Sequence, residues 1–384
     1  MIIKKPESLL VFGIFILGIY FCLVGGYGSD EDTLPMINVF ERRISDGGFI
    51  TSRFTGFPVA EMGIGFLSYF FGSWASNLVT FLLFLIGIIL FYKTFQEKKN
   101  NVILFLLICL SNPILFFDNL EPVDYSWALC SYAAGLFFLK KKNIELSILF
   151  LSICVGVRIN YILFVFVTIF FFEFDHTYKI RKKIILFLTV FFFSGLFYLP
   201  IWYDNSFSLT WLTAARPVNE GFIGVIARFT YKTYIAIGFL STFYILYLIK
   251  KNSKKLNQNK NFKFLFFLSL ANLIIFLWIP SEFSYLQLFL VVFTYIIFAI
   301  SKLKQIYIIC LLNFISWFVF INPISVNYVD NTYCGPKNAI DAKVSFKFEQ
   351  GFLKKYIDSR DKIKCWVDEN SIKGKKIISG KALR

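Results

Sequence analysis

The sequence predicts an all-α, polytopic membrane protein. Of its 384 residues, 57% are hydrophobic and only 17% charged, whereas a soluble domain is roughly half apolar and about a quarter charged. Its mean hydropathy is +0.65, and apolar stretches near the ~20 residues that cross ~30 Å of hydrocarbon recur from end to end. The basic residues fall in short gaps between those stretches. This composition excludes a soluble enzyme, a disordered chain and a disulfide-rich secreted scaffold.

The formal net charge of +16 does not mark a nucleic-acid binder, because the basic residues form no single stripe. Lys4 and Lys5, Lys93 to Lys99, Lys140 to Lys142, Lys179 to Lys183, Lys250 to Lys263, and Lys302 with Lys304 together hold 20 of the 40 Lys and Arg. Short loops rich in Lys and Arg stay in the cytoplasm. The excess charge therefore reads as topology, and no nucleic acid is expected as a partner.

The first span runs from Ser8 to Gly26, with Lys4 and Lys5 holding the N-terminus inside. The apolar run is long and Gly25-Gly26-Tyr27 is a poor cleavage site, so an uncleaved anchor is expected. The first external loop then covers 27–74. Within it Val59 to Phe71 is only about 13 residues, too short to cross, which predicts an interfacial or re-entrant helix over 59–72. Ala75 to Tyr92 crosses inward.

The remaining runs alternate: Val102 to Phe117 outward, Val123 to Leu139 inward, Asn143 to Val157 outward, Ile159 to Phe172 inward and Ile184 to Pro200 outward. Tyr231 to Ile249, Phe264 to Ile279, Leu286 to Ser301 and Ile306 to Ile321 complete the series. Two short spans over 143–172 are preferred to one long helix, because the pair puts every lysine cluster inside. The result is about eleven spans, N-terminus in and C-terminus out. A transmembrane domain over 1–321 is followed by a small extracytoplasmic α+β cap over 322–384.

Five cysteines lie in apolar spans as packing residues. Cys334 and Cys365 lie in the tail, in the oxidising compartment, and are expected to form a disulfide closing a loop of about 30 residues, worth about 3–4 kcal/mol.

Three groups of residues could carry chemistry. The only histidine, His176, sits beside a cytoplasmic lysine cluster, so acid–base work on the outer face falls to carboxylates. Asp30-Glu31-Asp32 follows the first span, where crowded like charges suit a general base or a cation site; a solvated loop ending in a helix cap would use the same residues. Asp118, Glu121 and Asp124 belong to a tight outer turn, and Asp124 opens the next helix at the membrane edge; a helix cap with two wet turn residues would use the same side chains. Of nine Arg, only Arg181 belongs to a cytoplasmic cluster. Arg42, Arg43, Arg53, Arg158, Arg216 and Arg228 fall outside, where a forked guanidinium suits phosphate or snorkels to lipid headgroups. Arg158 is expected at the outer tip of a helix pair.

In this order the pieces resemble the GT-C superfamily of integral-membrane glycosyltransferases, relatives of protein mannosyltransferases and the aminoarabinose transferase. Asp30-Glu31 looks like the acidic pair after the first span. Arg53-Phe54-Thr55-Gly56-Phe57-Pro58 with Phe66 to Gly72 looks like the interfacial helix. Ser111-Asn112-Pro113-Ile114-Leu115, Asp124, and Gly156-Val157-Arg158 followed by Tyr161 continue the likeness over about residues 8 to 175. Pro280 to Gln287 is similar to a late family segment, with Ser284 where that segment carries Arg.

The resemblance implies an inverting transfer of one sugar from a polyprenyl-phosphate donor to a lipid, glycan or protein acceptor. The site would face the periplasm or exterior of a bacterial inner membrane. Asp30 would take the acceptor's proton, with Glu31 or Asp124 orienting it. Arg158, with Arg53 and Arg216, would neutralise the leaving phosphate, and Glu121 would support Asp124. The resemblance fixes no cofactor and leaves open a divalent cation, Mg or Mn, held by Glu31 or Asp124. Two other classes compete. A lipid-linked polysaccharide polymerase or ligase predicts a longer, Arg-richer loop than Trp202 to Thr230. A transporter predicts charges at mid-membrane, broken spans and internal repeats.

Overall fold

The computed structural model describes residues 6–29, 33–48, 51–52, 56–96, 101–173, 179–204, 207, 222–258, 261–280, 282–329 and 338–372. Among the described residues four helices are long and apolar enough to cross a membrane, or five if one sharply bent pair counts as a span. The chain thus has the membrane-embedded, mainly helical character that its composition demands. Aromatic side chains such as Phe191, Phe192 and Phe243 stand exposed on the bundle surface, which suits a lipid solvent and not water.

The helices run between two ends of different chemistry. α1 (Pro6–Val24) starts at the lysine end, where Glu7 bonds Tyr307. It stops at the other end, where Gly26 and Gly28 take positive φ. α4 (Ser73–Phe95) starts there, because Asn77 Nδ2 donates to the Cys22 and Gly26 carbonyls at 3.2 and 3.1 Å. It ends among Phe172 and Phe264 at the lysine end.

Between them, α2 (Thr33–Asp46) and α3 (Pro58–Phe71) pack on each other. The start of α3 abuts Phe57, which faces the Arg158 guanidinium. Its far end is tied to α4 by the Ser68 and Ser76 hydroxyls at 2.9 Å. Both ends of α3 therefore lie at one end of the bundle, and it does not traverse.

The expected span from Val102 to Phe117 is two helices, α5 (Val102–Ser111) and α6 (Pro113–Phe117). Pro113 lacks an N–H and pushes Asn112 to extended backbone, which breaks the helix there. α7 (Asp124–Lys140) and α8 (Ile144–Val157) then run antiparallel, with Ser147 Oγ on the Gly135 carbonyl at 3.0 Å. The chain reverses at residues 158–160 into α9 (Tyr161–Phe171), which Thr168 joins to Tyr132 at 2.6 Å. α10 (Ile180–Asp204) returns alongside, its Tyr198 hydroxyl on the Val155 carbonyl at 2.9 Å.

Helix length fixes the depth of that reversal. At 1.5 Å per residue, the 14 residues of α8 rise about 21 Å, whereas the 25 of α10 rise about 37 Å. The turn carrying Arg158 is thus recessed below the rim. Arg158 is only 2% exposed, which corrects its expected place at an outer tip among lipid headgroups.

A second correction concerns the expected straight span from Tyr231 to Ile249. α11 (Phe222–Ile237) and α12 (Phe239–Lys251) meet at 83°. Gly238 takes φ +103°, a conformation L side chains rarely adopt, and so breaks the helix. Asn112 holds the break from the side, Nδ2 to the Ala236 carbonyl at 2.8 Å. The short α13 (Ser253–Gln258) leads to α14 (Phe262–Trp278). A 3-10 turn at Phe283–Leu286, α15 (Gln287–Ile300) and α16 (Leu303–Phe318) complete the bundle.

The tail begins earlier than residue 322. α16 stops at Phe318, and β1 (Val319–Val329) pairs antiparallel with β2 (Asn338–Gln350). Gly351 follows, where a Cβ would sit 2.3 Å from the Trp317 carbonyl oxygen. α17 (Phe352–Ile372) then folds back onto the bundle, its Tyr356 ring edge-on to Phe21 at 5.6 Å and tilted on Phe117 at 5.3 Å.

Candidate functional site

Asp118, Glu121, Asp124 and Glu282 gather at the end opposite the lysine clusters. The turn between α6 and α7 is pinned from within by Asn119. Its Nδ2 donates to the Leu115 carbonyl at 2.7 Å, and its Oδ1 accepts from Ser126 and from Gln287 of α15. This fixes how the turn presents Asp118, Glu121 and Asp124.

Asp124 opens α7, where the helix N-terminus favours negative charge. It pairs with Arg158 at 2.8 Å, and the two side chains are 0% and 3% exposed. The guanidinium also lies over Tyr125, Tyr285 and Phe57 at 3.7, 4.7 and 5.3 Å from their ring centroids. These contacts spread its charge over aromatic faces and shield it from solvent. Tyr125 carries the network outward, its hydroxyl donating to Glu282 Oε2 at 2.6 Å.

Glu121 holds a different partner. Its Oε2 accepts from the Ser29 backbone N–H and from Ser29 Oγ, the latter at 2.9 Å. Gly28 permits this approach: it takes φ +83°, and a Cβ there would fall 2.5 Å from the Glu121 side chain. Glu121 and Asp124 are three residues apart, about 11 Å at most. The chain entering the first acidic segment is thereby clamped beside the Arg158 pair. Asp30 and Glu31 themselves, with Arg53, Arg216 and His176, lie outside the described residues.

Asp118 is the half-buried member of the turn, and its Oδ2 accepts from Ser284 Oγ at 2.9 Å. Burial pushes its carboxyl up, the Ser284 bond opposes this, Glu282 adds to it and Lys232 opposes it, leaving a pKa of about 7. Lys232 comes from α11 and lies 5.3 Å over the Phe283 ring. Two hydroxyl–carboxylate bonds, Ser284 to Asp118 and Tyr125 to Glu282, thus stitch the turn to the segment before α15 in both directions.

A separate buried pair joins α2 to α3. Glu61 is fully buried; it pairs with Arg43, and its Oε1 accepts from the Ser52 N–H and Oγ at 2.8 and 2.6 Å. Arg43 therefore joins α2 to α3 and does not snorkel to headgroups. Cys365 is disulfide-bonded, and the other described cysteines are free; Cys334 lies outside the described residues. Among the described residues no three His, Cys, Asp or Glu side chains converge to hold a metal ion. Glu121 and Asp124 are engaged by Ser29 and Arg158.

Sequence reasoning picked out Asp124, Arg158 and Glu121, placed Asp118 in the same turn without a role, and gave none to Tyr125, Lys232, Glu282 and Ser284. The signal for two of them was present. Pro280 to Gln287 is a polar island between two apolar runs, and both Glu282 and Ser284 stand in it. Compared with protein-family models, curated proteins and solved structures, the chain matches none.

Proposed function

We propose that this chain is a membrane glycosyltransferase of the GT-C kind, moving a sugar from a polyprenyl-phosphate donor to a lipid, glycan or protein acceptor. About eleven crossings place the lysine end in the cytoplasm of a bacterial cell and the acidic end outside the inner membrane. α3 then lies along the interface, and the hairpin and α17 sit on the outer side. One observation carries the reading. Ser29, the residue before Asp30 in the sequence, is bonded to Glu121 of the turn whose Asp124 holds Arg158.

The chemistry follows from those positions. Asp30 removes the proton from the acceptor hydroxyl, with Glu31 orienting it, while that oxygen bonds to the sugar's anomeric carbon from the face opposite the phosphate. The carbon–oxygen bond to the carrier breaks, and the phosphate leaves with the electron pair. Arg158, held by Asp124 in the recess, offsets the charge of the departing anion, with Arg53 and Arg216 in support. Asp30→Asn is expected to slow transfer by about 10²–10⁴-fold with normal folding and insertion. Release of polyprenyl phosphate from polyprenyl-phosphate mannose, glucose and arabinose in nanodiscs checks this.

A second reading, a transporter, is favoured by the 83° break at Gly238 and by the recessed ion pair. Sugar uptake into proteoliposomes without release of carrier phosphate would select it.

A further inference from the structure

An inverting transfer from a phosphate carrier benefits from two protonic groups, a base for the acceptor and an acid for the leaving oxygen. The resemblance supplies the first and is silent on the second. Three carboxylates of the α6–α7 turn are candidates, and geometry separates them. Asp124 is sealed against Arg158 and Glu121 against Ser29, with exposures of 0% and 3%. Asp118 is half-buried, so a bound molecule can touch it, and Ser284 fixes its Oδ2 and leaves Oδ1 directed by that bond.

The charges around it suit a departing phosphate. Lys232 from α11 and Glu282 from the segment before α15 lie within electrostatic reach of Asp118. Glu282 reaches the Arg158–Asp124 pair through Tyr125, with Tyr285 beside it. Asp118 thus stands beside Lys232 and Glu282, and Tyr125 joins Glu282 to the Arg158 pair.

We propose that Asp118 is the general acid of the reaction, donating its proton to the carrier phosphate oxygen as the bond to the sugar breaks. The inference rests on the glycosyl-transfer reading and completes it. The acceptor's proton goes to Asp30, Asp118 gives one to the phosphate, and the carrier leaves as a protonated monoester, so one proton moves in and one moves out. Inverting glycosidases divide labour between two carboxylates in the same manner, the acid being the one of raised pKa. The carboxyl near pH 7 meets that need, because a group that titrates at the working pH is both available and able to give up its proton.

The pH dependence has a fixed sign. An acid must be protonated, so release should fall as pH rises through about 7. Glu282→Gln removes a neighbour that raises the Asp118 pKa and should move this basic limb down. Lys232→Met removes one that lowers it and should move the limb up. Asp118→Asn should lose about 10²-fold or more in carrier release, lose the limb, and keep most of its rate on a glycosyl fluoride, whose leaving group needs less help; Asp118→Glu should restore part of the loss.

The test uses the full chain in nanodiscs, reading release from polyprenyl-phosphate mannose, glucose and arabinose across pH. In parallel, infrared titration reads the protonated carboxyl band. A band with a midpoint near 7 that vanishes in Asp118→Asn and tracks the basic limb supports the proposal. A limb unmoved by Asp118→Asn, or opposite shifts absent in the two neighbour variants, overturns it. Wild-type protein that releases no carrier from any donor overturns the transfer reading itself, whatever the infrared titration shows.

Discussion

The two ends of the bundle carry charge in opposite ways. At the lysine end, Lys140 to Lys142, Lys179 to Lys183 and Lys302 to Lys304 sit on loops and helix starts, mostly half-buried or exposed. The interior beneath them is filled by rings such as Phe95, Phe172 and Phe264. At the acidic end the charges are drawn inward and committed: Asp124 to Arg158, Glu61 to Arg43, Glu121 to Ser29. Wet charges set orientation at little cost to folding, whereas buried ones require partners and persist where a site needs them. The difference teaches that sign and placement of charge can locate a site before any ligand is known.

The comparison breaks most readily at its buried pair. Arg158→Met leaves Asp124 alone in a sealed recess and should lower stability by about 3–5 kcal/mol, read as thermal unfolding in detergent. The double variant Arg158→Met, Asp124→Leu should recover most of that loss, because the uncompensated charge is gone. Recovery of stability without recovery of transfer would sharpen the contrast between folding and function at this end.

Gly28→Ala is the next largest effect. The new Cβ meets Glu121 at 2.5 Å on a backbone at φ +83°, so a loss of about 1–3 kcal/mol is expected, together with faster proteolysis of the loop after α1. The smallest effect belongs to the other end. Replacing Lys140, Lys141 and Lys142 by Gln should change stability by no more than about 0.5 kcal/mol while weakening the retention of that loop on the side proposed to be cytoplasmic, read by cysteine labelling at Asn143.

Much of the architecture was legible because hydropathy and lysine placement are local signals. The reversal at Arg158 and the non-crossing α3 followed from run length and loop charge. Pro113 and Gly238 were also visible, yet each sat inside an apolar run long enough to count as a single span, so the breaks went unread. The site was legible by residue type and not by partner. Asp124 and Arg158 stood out as ionisable groups near apolar runs, but their pairing depends on α8 being short enough to bring the turn down. Asp118 read as a wet turn residue because Ser284 and Glu282, which wall it in, arrive from more than 160 residues away. Glu61 and Arg43 were opposite charges 18 positions apart, with nothing local to say that the α2–α3 connection folds them together.

The most direct test of the account is carrier release by purified wild-type protein and by Asp30→Asn in nanodiscs holding polyprenyl-phosphate mannose, glucose or arabinose. The account predicts that the wild type frees polyprenyl phosphate from at least one donor, and that the variant does so about 10²-fold or more slowly at an unchanged melting temperature. Equal rates for the two proteins, or no release by either, would contradict it.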